Sequence, residues 1–89
     1  MRRNEDFSLR QTADLTVILP VGAASLKFPG MISVNETGAF LWELLEREHS
    51  VQSLVDAMTA EYEVDGAQAE KDINAFLDHL RNANALVEG

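Results

Sequence analysis

The sequence predicts an α+β fold in which strands come first and three helices follow. Three observations carry this. Apolar residues alternate with polar ones in the first third of the chain, as at Phe7 and Leu9. From Glu36 onward they recur at three- and four-residue spacing. The two periods meet at Asn35, a residue suited to opening a helix and poorly suited to continuing a strand.

The elements follow in order. FSLRQT alternates through Phe7, Leu9 and Gln11, and LTVILP, Leu15 to Pro20, is apolar and rich in β-branched residues. Ala13 and Asp14 make the tight hairpin turn between them. VGAAS reads as a small-residue loop around Gly22. In SLKF, Ser25 to Phe28, Leu26 and Phe28 alternate with Ser25 and Lys27, so this stretch either pairs as a strand or runs as an arm. Pro29-Gly30 forces a turn, and Met31 to Val34 is a last short strand.

The first helix is predicted over Glu36 to Glu46, its apolar side chains spanning an arc of roughly 200°, wide enough for burial on two sides. Its cap is either Asn35 or Ser33, the latter through an S-x-x-E pattern with Glu36. Gly38 costs this helix roughly 0.5–1 kcal/mol against alanine. A helical side chain leans over the turn before it, which puts Trp42 above position 38, so glycine is expected to make room for the indole. Ser50 caps the second helix, whose stripe is Val51, Leu54, Val55, Met58 and Tyr62. Asp65 and Gln68 resemble a capping box for the third, whose stripe is Ala69, Ile73, Phe76, Leu77 and Leu80. That helix ends near Asn84, which tolerates the left-handed conformation, and Leu86 and Val87 return to the core.

The 89 residues make one domain, residues 1–89, with 46% hydrophobic content and a real but thin core. Absence of cysteine excludes disulfides and thiolate metal sites, and fits a reducing, cytoplasmic setting. No apolar run reaches the ~18 residues of a membrane span, and the arginine-bearing N-terminus is not followed by a signal-peptide core. Residues 36–89 hold three bases and twelve acids, so the helical part carries −9 against −8 for the chain. The second and third helices make a helix-turn-helix outline, but GAQAEKDIN offers Gln68, Lys71 and Asn74 beside Glu70 and Asp72, a poor reader of phosphates and bases. His49 and His79 lack metal-ligand spacing and read as a loop residue and an exposed helix residue; no metal or cofactor is expected. No nucleophile–base pair or phosphate loop stands out, so an enzyme is not expected.

VNETGAFLWELL, followed by two amphipathic helices ending in FLDHLRNANALVE, resembles the PqqD family. These are small precursor-peptide recognition elements of ribosomally made, modified peptides. The resemblance runs from about Phe7 to Glu88, and is most specific at Asn35-Glu36-Thr37-Gly38, Trp42 and Leu44-Leu45. EREHS after Leu45 and Asn84 depart from the family's usual shorter turn and glycine. The resemblance implies a winged helix-turn-helix-like fold, with a three-stranded antiparallel β-sheet followed by three α-helices. It implies binding of a leader peptide and its presentation to a radical S-adenosylmethionine or other peptide-modifying enzyme, in a pathway to pyrroloquinoline quinone or another peptide product. The leader would add to the edge of the third strand, in a groove walled by the third helix.

On that reading the peptide-binding residues are Met31, Ile32, Ser33 and Val34 on the strand and Asp72, Phe76 and His79 on the helix. Ile32 and Val34 point one way, Met31 and Ser33 the other, and an unpaired edge is a template for another chain. The plainer reading puts Phe76 in the core and Asp72 in solvent. The same edge also suits a homodimeric or regulatory interaction domain without a peptide ligand, with the N-terminal strands exchanged.

The charge distribution predicts no binding to duplex DNA at physiological salt. An anisotropy titration giving micromolar or tighter affinity would contradict it and restore the helix-turn-helix reading.

Overall fold

The period changes at Asn35, and in the computed structural model, which describes residues 1–27 and 30–88, strand gives way to helix there. The strands are β1 (Arg2–Arg3), β2 (Phe7–Gln11), β3 (Thr16–Pro20), β4 (Ile32–Ser33) and β5 (Leu86–Val87). The helices are α1 (Glu36–Leu44), α2 (Val51–Glu61) and α3 (Gly66–Asn82), with a 3-10 helix at Gly22–Leu26.

β2 and β3 form the hairpin, in register from Phe7↔Pro20 to Gln11↔Thr16. The Thr12 amide closes its turn on the Leu15 carbonyl at 2.8 Å. β4 pairs antiparallel with the other side of β3, Val17↔Ser33 and Ile18↔Ile32, giving the order β2-β3-β4. The last strand is shorter than Met31 to Val34, although the Val34 amide still donates to Thr16 at 2.9 Å. The small-residue loop is instead a 3-10 helix, entered through Gly22 at φ +61° and braced by the Ser25 hydroxyl donating to the Gly22 carbonyl at 2.8 Å. Ser25 and Leu26 therefore belong to no strand, and Phe28 and Pro29 lie outside the described residues.

Each helix begins at a side chain that satisfies an otherwise orphaned amide. Asn35, not Ser33, caps α1: its Oδ1 accepts from the Gly38 amide and the Thr37 hydroxyl, both at 2.9 Å. Ser50 and Ser53 exchange bonds in a complete capping box for α2. Asp65 accepts from the Gln68 amide at 2.8 Å, but the Gln68 side chain turns to Asp72 instead, so the box is only half made. α3 ends where Asn84 takes φ +64°, with the Ala85 amide reaching the Leu80 carbonyl and the Asn84 amide the Arg81 carbonyl.

The helical stripes meet under the sheet. Ile18 packs into a cluster with Leu41, Trp42 and Leu45 of α1 and its end, Leu54 and Met58 of α2, and Ile73, Leu77 and Leu80 of α3. Each such side chain, fully buried, contributes about 1.5–3 kcal/mol. Tyr62 and Phe40 are half-buried and meet edge to face at 5.4 Å. β1 and β5 form a second, two-stranded sheet that the sequence does not announce, pairing Arg2↔Val87 and Arg3↔Leu86. It draws Arg3 over Trp42, guanidinium 5.5 Å from the ring, with Nη1 donating to the Trp42 carbonyl at 3.2 Å.

This corrects the reading of Gly38. Built at position 38, a Cβ would meet Val34 Cβ at 3.1 Å, Asn35 Oδ1 at 3.3 Å and Phe76 Cε1 at 3.3 Å; Trp42 is not among its nearest neighbours. Glycine here lets α1 pass between β4 and α3. Gly38→Leu should cost on the order of 1–3 kcal/mol by overpacking. Gly38→Ala regains up to about 1 kcal/mol of helix propensity against these tight contacts and should fall between leucine and wild type. Denaturant midpoints check this; stabilisation by both would mean that the passage is not tight.

Candidate functional site

β4 is an edge strand, and its hydrogen bonds show which groups it leaves free. The Val34 amide faces β3, so by alternation the Ile32 amide faces β3 too, while the N–H and C=O of Ser33 and of Met31 point outward. Among the described residues no strand pairs on that outer side.

A groove of about 580 Å³ lies beside this edge. One wall is Ile32, Ser33, Val34 and Asn35; the facing wall is Asp72, Ala75, Phe76 and His79 of α3. Thr37, Gly38, Leu41 and Met58 line the rest. Leu41, Met58 and Gly38 are buried, Ile32, Val34 and Phe76 half-buried, and Asp72, Ala75 and His79 exposed. The surface is thus apolar at depth and polar at its rim.

Six of the seven residues named from the sequence come together here: Ile32, Ser33, Val34, Asp72, Phe76 and His79. Ile32 and Val34, the pair that packs against the core, are also on the wall, so core side and groove side are the same side of β4. Met31 is not on this wall; its side chain is 64% exposed beside a second, smaller cavity near Gly30 and Asn84. Phe76 is neither simply core nor simply solvent, because α3 turns it toward Gly38, whose missing Cβ lets the ring edge come close. Asn35, Thr37, Gly38, Leu41, Met58 and Ala75 were not foreseen on the wall. Ala75 was within reach, since Asp72, Ala75, Phe76 and His79 follow the i, i+3, i+4, i+7 spacing of one helical face. Met58 was not, because it arrives from α2.

Among the described residues Asp72 is the groove's one carboxylate, and neither lysine nor arginine lines it. Its Oδ1 accepts from Gln68 Nε2 at 2.8 Å, one helical turn away, which holds the acid on the α3 rim. Behind the groove, Arg81 bonds Glu88 through Nε at 2.9 Å and Asp78 through Nη1 at 2.7 Å, tying α3 to the end of the chain. The bond to Glu88 pushes the Arg81 pKa up, and Arg81 in turn lowers that of Glu88. His49 lies elsewhere, its Nδ1 2.9 Å from Ser53 Oγ at the start of α2. Among the described residues no three His, Asp or Glu side chains converge to hold a metal ion, and no helix is long and apolar enough to cross a membrane.

The family described as coenzyme PQQ synthesis protein D (PqqD) matches residues 16–86. A PqqA binding protein of Methylococcus capsulatus is 36% identical over 53 residues, 60% of this chain and 55% of that protein, so the chain spans about half the length of this curated relative. Two solved structures share the fold at 28% identity. TbiB1 in complex with the TbiA(beta) leader peptide superposes with a TM-score of 0.77, covering 100% of this chain and 98% of that one. Lasso peptide synthetase B1 complexed with the leader peptide does so at 0.73, covering 98% and 96%. With the order of strands and helices, the Asn35 cap and a family match from Thr16 to Leu86, this chain belongs to the PqqD family.

Proposed function

We propose that this protein binds the leader segment of a ribosomally made precursor peptide and presents it to a modifying enzyme. The carrying observation is the open edge of β4, with the Ser33 N–H and C=O facing a groove walled by α3. A peptide in extended conformation pairs with Ser33 and Met31 through its backbone, which supplies affinity with little demand on sequence. Its alternate side chains enter the groove, over Val34, Leu41 and Phe76, and supply selectivity. Both structural relatives are complexes with leader peptides, and the curated relative is a PqqA binding protein, which supports this reading. The protein acts as a carrier rather than a catalyst: the groove offers donors, acceptors and apolar surface but no nucleophile paired with a base. The enzyme it serves would be a radical S-adenosylmethionine or other peptide-modifying enzyme, and its setting the cytoplasm.

Two proline substitutions separate binding from folding. Ser33→Pro removes an outward N–H and should weaken leader binding about tenfold while leaving the fold intact, the upper range for one net hydrogen bond. Ile32→Pro removes an N–H that faces β3 and should lower the denaturation midpoint instead. His79→Ala, at the rim, should weaken binding modestly without unfolding. The direct measurement is an NMR titration with the leader of the pathway's own precursor peptide. Amide shifts confined to residues 31–38 and 72–79 are expected. Shifts centred on the outer face of α2, or none with the peptide at high concentration, would overturn the proposal; dimer formation through β4 would then favour the homodimeric reading.

A further inference from the structure

We propose that the groove selects a leader strand in which a lysine or arginine stands two residues from a large apolar residue, the cation against Asp72 and the apolar side chain over Phe76. This rests on the leader-binding reading and adds the chemistry of the peptide to it. The first support is spacing. The strand wall, Ile32 to Asn35, spans three steps, about 10 Å. The helix wall, Asp72 to His79, rises over seven residues, also about 10 Å. The two walls that bound the groove are equal in length, and the added strand is taken to run along both. Along α3, Asp72 and Phe76 are one turn apart, a rise of about 6 Å. Along a strand, residues i and i+2 share a face and lie about 6.6 Å apart. Peptide side chains two residues apart therefore meet the two helix residues in step.

The second support is charge. Among the described residues Asp72 is the only acid on the wall, and no lysine or arginine opposes it. The helical part of the chain carries −9, so an acidic peptide is repelled on approach and a basic one drawn in. Gln68 holds one Asp72 oxygen from the side, which leaves the other to accept from a peptide cation. The third support is depth. Phe76 is half-buried and lines the groove with Val34 and Leu41, so an apolar side chain can lie over its ring.

The test selects random displayed dodecapeptides on the full-length protein and keeps those whose binding is lost on Ser33→Pro. These binders should be enriched in Lys or Arg two positions from Leu, Ile, Val, Met or Phe. Asp72→Asn should weaken the best of them about threefold to fivefold, the size of one exposed ion pair, with an unchanged melting midpoint. Asp72→Lys should invert the preference, so that replacing the peptide's lysine by glutamate restores affinity. Binding of the wild-type protein should also fall as ionic strength rises. Binders that depend on Ser33 but show no basic residue in this register, or no response to Asp72→Lys, would overturn the inference and leave strand addition standing. Failure to recover any binder that Ser33→Pro abolishes would overturn both.

Discussion

The groove depends on one close passage, that of the first turn of α1 between Val34 at the end of β4 and Phe76 on α3. Position 38 has no room for a Cβ without displacing one of them, its built contacts falling at 3.1–3.3 Å. This single glycine sets the distance between strand edge and third helix. It also fixes the start of α1, because its amide is the donor that Asn35 caps. Cap, edge and groove are thus three aspects of one junction. The helix-propensity cost of Gly38 is the cost of passing α1 closely between β4 and α3.

The rest of the molecule holds that junction in place. A core drawn from one strand face and three helices is small, as it must be in a chain of this length. All buried residues named in the core are apolar, so burial and shape rather than polar networks define the packing. The two ends close around it: β1 pairs with β5, Arg3 covers Trp42, and Arg81 reaches Glu88. These exposed or half-exposed pairs are individually weak. Their placement matters more, since they anchor the end of α1 and the end of α3, the elements that bound the groove.

An unpaired strand edge is ordinarily a hazard, because it templates association with any extended chain. Here β4 is only two residues long, and α1 begins at once after Val34 and Asn35. The excess of acids on the helical part adds repulsion between copies. Brevity and charge together leave the edge available without making it indiscriminate. Across the groove α3 presents an acid, an aromatic ring and an imidazole on one face.

By itself the sequence determined whatever is decided within a turn of helix or a strand pair. The caps at Ser50 and Asp65, the left-handed Asn84, the buried stripes of α2 and α3 and the hairpin around Ala13 and Asp14 all rest on local pattern, whereas the choice of Asn35 over Ser33 as the cap of α1 came from the structure. Of the seven residues named on the family resemblance, six line the groove; strand edge and helix face are each periodic, but their meeting is tertiary. Tertiary structure decided the rest. It placed Met31 outside the groove. It paired Arg2-Arg3 with Leu86-Val87, some 80 residues apart, where no local pattern marks a strand. It also put Val34 and Phe76, rather than Trp42, against Gly38. For the pairing of β1 with β5 and for Phe76 against Gly38 the deciding partner comes from a distant segment, and local propensity carries no record of which distant surfaces will meet.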